Sequence, residues 1–290
     1  NSRFINVSVE MEKARRLLEE TVSKDNLVHA SIDNDDKAKD VLRELNCESY
    51  DDNSIIEVIG NEIVTKADNS EWIWNCWDWL AEWVAKESYG DKHEERLNRI
   101  KSLSILPSRG KLYNIASLED AIIAWQSDDK IIAIPEWLPI IFVDSWFRDR
   151  VRSIPDDSDT LKKLIKELEF KDPSEDTTLQ ALSIAIKHYW KEPDGKPDRF
   201  INFLLSGNYR EKDATGKGLS SCPIRVNIEG GEAEQWFEAG QAYFGKDWGE
   251  DHLAHLYESV QGVAWACKPA DNQDKYRKVI EWLGVVAYPR

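Results

Sequence analysis

Apolar residues recur at helical spacing over most of the chain. After an extended entry over residues 1–9, Met11, Ala14, Leu17, Leu18 and Val22 mark one face of a helix that Ser8 is placed to cap. A second helix starts at Asp33 to Asp36 and carries Ala38, Val41, Leu42 and Leu45; a third starts near Asp51 and carries Ile55, Ile56, Val58 and Ile59. Aspartates in a first turn suit the positive end of the helix dipole. Between Glu71 and Lys86 the apolar residues, five of them tryptophan, cover most of the circumference, so this helix is expected to be central and enclosed. A charged helix over Asp91–Lys101 follows, then two short strands around an Arg109-Gly110 turn, a helix from Ser117, and a short strand over Ile131–Ile134 closed by Pro135.

The second half repeats the order. Ile140–Trp146 leads into a helix bearing Arg148, Arg150 and Arg152, followed by helices over Leu161–Phe170, Thr177–Trp190 and Asp198–Leu205. A loop over Ser206–Gly218 precedes a hairpin beginning at Cys222, with Trp236–Phe244 after it. Helices over Asp251–Trp265 and Asp271–Leu283 close the chain. One phrase is written three times: Val41 to Cys47, Leu164 to Phe170, and Val279 to Val285. The intervals are roughly 120 residues, as one structural unit used more than once would give. Pro107 and Arg109 also stand opposite Pro223 and Arg225. The pattern predicts an α+β, predominantly helical fold of two tandem units, each with a small β-hairpin. Residues 1–135 form the first unit, with the tail of a preceding one, and residues 136–290 the second.

Charge narrows the partners. With 38 basic and 54 acidic side chains the net charge is −16, which repels phosphate backbones and anionic lipid, so neither duplex nucleic acid nor a membrane is an expected partner. No apolar run reaches the length of a bilayer span. Cys47, Cys76, Cys222 and Cys267 are scattered without a Cys-x-x-Cys pair, which argues for reduced thiols and against a zinc ribbon or a disulfide scaffold. The opening Asn in place of Met, with no signal peptide, fits a piece of a larger cytoplasmic protein.

Candidate chemistry is thin. His252 and His255 share a helix face but lack further ligands at recognisable spacing. Asp213 to Gly218 has the flavour of a phosphate loop, yet Glu211 stands where the motif needs glycine. Glu94 and Asn98 match a loose magnesium-helix pattern without its downstream glycine segment. Thirteen tryptophans admit an aromatic platform for a sugar or a methylated amine; most recur at core spacing, and Trp236 and Trp248 are the ones expected at the surface. Arg109, Arg148, Arg150 and Arg152 form the notable basic grouping, with pairing to acids as the default and an acidic peptide or phosphate as the alternative. No catalytic residue, cofactor or metal is expected; the competing reading is a nucleotide- or metal-dependent enzyme domain, or a small-ligand module using tryptophans.

The helix ending Trp282-Leu283-Gly284-Val285 closing on Tyr288-Pro289-Arg290, and the Pro-x-Arg hairpins before Trp236 to Trp248, resemble the regions that follow the ATPase domain in sacsin-like proteins. These are large multidomain proteins with a front ATPase of the gyrase, heat-shock-chaperone and histidine-kinase superfamily. Eukaryotic sacsin is chaperone-like, and bacterial members are often taken as anti-phage defence proteins. The resemblance implies a helical middle or client-contact segment, working with other domains of its parent protein or with a client. It carries over no catalytic position, because the ATPase residues are not among these 290.

Overall fold

The computed structural model describes residues 5–6, 12–21, 36–45, 47–87, 89–118, 120–126, 134–155, 159–191, 195–207, 219–229, 231, 233–249, 260 and 262–287. The fold is α+β and mainly helical. Two compact units divide the chain: residues 1–130 with 141–172, and residues 131–140 with 173–290. Residues 141–172, which the sequence pattern assigns to the second unit, thus stand with the first.

The first unit is organised around one helix. β1 (Ile5–Asn6) pairs in parallel with β2 (Glu48–Ser49), and α1 (Glu12–Thr21), α2 (Asp36–Glu44) and α3 (Asp52–Glu62) belong to the same unit. Asp51 caps α3 by accepting the Ser54 N–H at 2.8 Å. α4 (Ser70–Ala85) begins at Asn69, whose Oδ1 accepts the Trp72 N–H at 3.0 Å, and α1 and α5 (Asp91–Ser102) pack on it. Apolar side chains on nearly every side of α4 demand this enclosure. Trp72, Cys76, Trp77 and Leu80 have no exposed surface, and Trp79 stacks on Trp83 with centroids 6.0 Å apart.

Next come β3 (Leu106–Ser108) and β4 (Lys111–Tyr113), an antiparallel hairpin whose two-residue turn is Arg109-Gly110, at φ 51° and 68°. Two left-handed residues make the turn that matches strand twist, and an Arg there needs support. Asp144 supplies it, its carboxylate accepting the Arg109 N–H at 2.6 Å and the Gly110 N–H at 3.4 Å. The helix expected from Ser117 does not form. Residues Ile115–Leu118 make one 3-10 turn, and the chain extends into β5 (Ile122–Trp125), which pairs with β6 (Ile140–Val143). Ile122, Ile123 and Trp125 suit a half-buried strand better than a helix. α6 (Ser145–Ser153) and α7 (Thr160–Glu167) complete the unit, α7 against α4.

The second unit holds α8 (Glu175–Tyr189), α9 (Asp198–Ser206) and α10 (Gln273–Trp282) with a three-stranded antiparallel sheet. Its strands are β7 (Pro223–Ile228), β8 (Glu234–Glu238) and β9 (Ala264–Ala266), in the order β8-β7-β9. α9 packs on β7 and α10 on α9. Residues 264–266 were expected at the end of a helix. They are β9 because the free edge of β7 offers Val226 and Ile228 as partners for Ala266 and Ala264. The rest of that expected helix (251–259), the expected strand at 131–133 and the loop at 208–218 lie outside the described residues.

The thrice-written phrase has a local structural meaning. Cys47, Phe170 and Val285 each donate their N–H to the carbonyl five residues back, on Leu42, Ile165 and Ile280, at 3.0, 3.4 and 3.0 Å. In the second and third cases the residue before the donor, Glu169 (φ 58°) or Gly284 (φ 109°), is left-handed and bonds back three residues. This is the 6→1, 5→2 helix stop that satisfies carbonyls at a C-terminus, with an apolar residue at each end of the longer bond. Leu168 and Leu283 are buried while Leu45 is 66% exposed, so the three copies share a terminator rather than an environment.

Candidate functional site

Three of the four grouped arginines, Arg148, Arg150 and Arg152, are taken up by acids and rings. Arg109 sits in the hairpin turn, exposed, and its backbone is what Asp144 binds. Arg148 is 2% exposed on α6; its Nε and one terminal nitrogen donate to Asp149 Oδ1 at 2.9 and 2.7 Å, and the other terminal nitrogen donates to the Gln126 carbonyl. Arg150 pairs with Glu71 and lies 5.5 Å over Trp74 and 6.0 Å from the Trp146 ring centre. Arg152 is 3.8 Å from Asp172. Within little more than one turn of α6 the three arginines thus meet three different partners. Glu94 and Asn98 are exposed along α5, as solvated helix positions are.

Trp248, expected at the surface, is buried. It ends a 3-10 turn (Lys246–Trp248), its Nε1 donates to the Ala266 carbonyl at 2.7 Å, and its ring stacks on Tyr276 at 6.2 Å. A short polar run around a tryptophan reads as exposed, but one buried carbonyl and one facing ring are enough to draw the indole inward. Trp236 is half-buried on β8, directly across from Arg225, whose guanidinium lies 5.2 Å over the indole and 3.4 Å from Glu234.

Arg225 and Asn227 alternate with buried Ile224 and Val226, so β7 turns one face to the core and one to water. Directly opposite residues share a face. The outer face therefore carries Trp236 and Glu234 from β8, Arg225 and Asn227 from β7, and Trp265 from β9. At the β9 end it opens into a groove of about 480 Å³ lined by Asn227, Glu229, the Gly245–Asp247 turn, Trp265 and Ala266. Glu229 Oε2 accepts the Trp265 Nε1–H at 2.9 Å, which fixes the indole, and Tyr243 meets the same ring edge-on at 6.4 Å. A side chain at Gly245 would start 3.3 Å from that ring, so the turn lies this close to the indole only with glycine there. Sequence reading missed Trp265, having placed it in a helix. The Ile-Arg-Val-Asn-Ile-Glu alternation from Ile224 to Glu229 was a usable signal for the rest.

The buried thiols Cys76 and Cys222 have their pKa raised by desolvation. Cys267, beside the groove, is pushed up to about 11 by burial and then by the charges of Glu234 and Asp247. The reactive form is the thiolate, so at neutral pH this cysteine is a poor nucleophile. Its iodoacetamide labelling, mapped by mass spectrometry, is expected to rise about tenfold per pH unit beyond pH 9, because a thiol two units above its free value holds about a hundredfold less thiolate. A plateau by pH 9 would contradict the placement. The linked stability runs the same way: the unfolded thiol ionises first, near 9.0, so stability falls as pH rises from 9.0 towards 11.

Among the described residues, no three His, Cys, Asp or Glu gather to hold a metal ion, and no helix is long and apolar enough to cross a membrane. His252, His255 and the Asp213–Gly218 run lie outside the described residues. No protein family, curated protein or solved structure matches the chain.

Proposed function

We propose that this chain is a non-catalytic interaction segment of a larger sacsin-like ATPase protein of the cytoplasm, chaperone-like or defensive in setting, built from two tandem helical units. The observation that supports it most is the outer sheet face, where half-buried Trp236 lies under Arg225 with Glu234 beside them. Trp and Arg together are the side chains that most often carry partner binding, because each brings a large desolvatable surface with a polar handle. The partner is another domain of the parent protein or a client. The reading of the two units as copies of one building block rests on the repeat in the sequence. ATP turnover by this chain is expected to stay at the buffer level, and the chain added in trans is expected to change the rate of the parent's ATPase segment. Turnover by the chain itself, or an ATPase rate unmoved at saturating chain, would overturn the proposal.

A further inference from the structure

We infer that the groove beside Trp265 is a binding site for a neutral saccharide. The inference goes beyond the interaction role and does not depend on it, since the groove and the Trp236 side of the sheet present different side chains. A pyranose has one face of C–H groups with partial positive charge and a rim of hydroxyls that donate and accept at once. The half-buried Trp265 offers an electron-rich ring for the C–H face, held in place by the bond from its own Nε1 to Glu229. Around it stand acceptors on Glu229 and Asp247, a donor on Lys246 and an amide on Asn227 that does both. Hydroxyls are matched by such a mixed set, and single-sign ligands are not. Phosphate would face two carboxylates, while a polycation would face Lys246 in the groove and Arg225 next along the strand.

Size and small residues agree with this occupant. A groove of about 480 Å³ lies within the roughly 300–1,000 Å³ of small-molecule sites. Gly245 packs close to the indole, and a Cβ at residue 245 would press on it at 3.3 Å. Cys267 beside the groove is held protonated at neutral pH, so its thiol takes no part as a nucleophile there.

Isothermal titration with cellotetraose, maltotetraose and chitotetraose, each at about 10 mM, tests the site at the millimolar affinity small neutral ligands reach. At least one is expected to bind, with tetralysine and inorganic phosphate silent at the same concentration. Gly245→Val, which fills the approach to the ring, and Asp247→Ala, on an exposed turn, are each expected to weaken binding about tenfold or more. Trp265→Phe keeps a ring in the sheet if Trp265→Ala does not fold, and is expected to retain weakened binding, while Glu281→Ala, exposed on α10, binds as wild type. Silence from all three sugars, tighter binding of tetralysine or phosphate, or equal binding by folded Gly245→Val and Asp247→Ala would each overturn the inference. None of these results touches the ATPase-coupling test, so the two proposals fail separately.

Discussion

Trp77→Ala is expected to remove about 3–5 kcal/mol from the first unit, the range for truncating a fully buried aromatic. Trp77 has no exposed surface. Its ring lies 5.3 Å from Phe147 and 6.2 Å from Phe170, and its Nε1 donates to the Ile105 carbonyl at 3.0 Å. One indole thus joins α4 to α6, to the residue after α7's helix stop and to the start of the β3–β4 hairpin. Truncation opens a cavity that three separate elements border, and rigid helix ends relax poorly into it. The loss is a large fraction of the roughly 5–15 kcal/mol that holds a domain folded, so the unit is expected to unfold at a much lower urea concentration than wild type. Trp77→Phe separates the two contributions. It keeps most of the packing and leaves the Ile105 carbonyl without its donor, a loss of about 1–3 kcal/mol. Urea unfolding followed by hydrogen exchange in α4 measures both. A Trp77→Ala chain within about 1 kcal/mol of wild type would mean that α4 is not the centre of this unit.

How much of this was legible beforehand differs by element. The enclosure of α4 could be read directly, because apolar residues cover its circumference apart from the Glu71-Asn75-Asp78-Glu82 stripe. The Arg109-Gly110 turn was legible from two short apolar runs two residues apart, although nothing local announced that Asp144, thirty-odd residues on, would hold it. Ser117 to Ala121 carries a plausible helix start, yet the isoleucines and tryptophan behind it prefer a strand once β6 is there to pair with. Trp265 follows the same logic. Three residues of β9 gain their hydrogen bonds from β7, and that edge is invisible from the sequence of β9 itself.

The arginine grouping shows the other limit. Arg148, Arg150 and Arg152 pair with acids, the default expectation for positions that a turn of about 100° per residue separates, but that spacing does not say which acid each meets. The acids and rings that receive them, Asp149, Glu71 with Trp74, and Asp172, lie next door, on α4 and beyond α7. The repeated phrase had a real physical source as well. It marks where a helix must satisfy its last carbonyls, a requirement shared by unrelated helices. An apolar-x-x-Leu-x-apolar ending is therefore a sign of helix termination first, and of duplication only if whole units follow it.

Trp248→Ala is expected to cost the second unit about 3–5 kcal/mol and to abolish saccharide capture in the same step. Four contacts tie this residue down. Its Nε1 donates to the Ala266 carbonyl on β9 at 2.7 Å, and its ring stacks on Tyr276 of α10, 6.2 Å away and 6° from parallel. Phe244 meets it edge-on at 5.6 Å, and its own carbonyl accepts from Arg277 at 3.0 Å. Lys246 and Asp247 are the two residues before it on the same 3-10 turn, and the left-handed Gly249 (φ 82°) follows at once. The indole is therefore the peg that holds the Lys246–Asp247 turn against Trp265. Trp248→Phe is the informative variant, because it retains a ring for Tyr276 and loses the bond to Ala266. It is expected to lose about 1–3 kcal/mol and to bind the saccharide more weakly while α10 keeps its exchange protection. Full binding by a folded Trp248→Ala chain would show that the turn needs no peg. Sugar contact would then have to come from Asn227, Glu229 and Trp265 on the sheet alone.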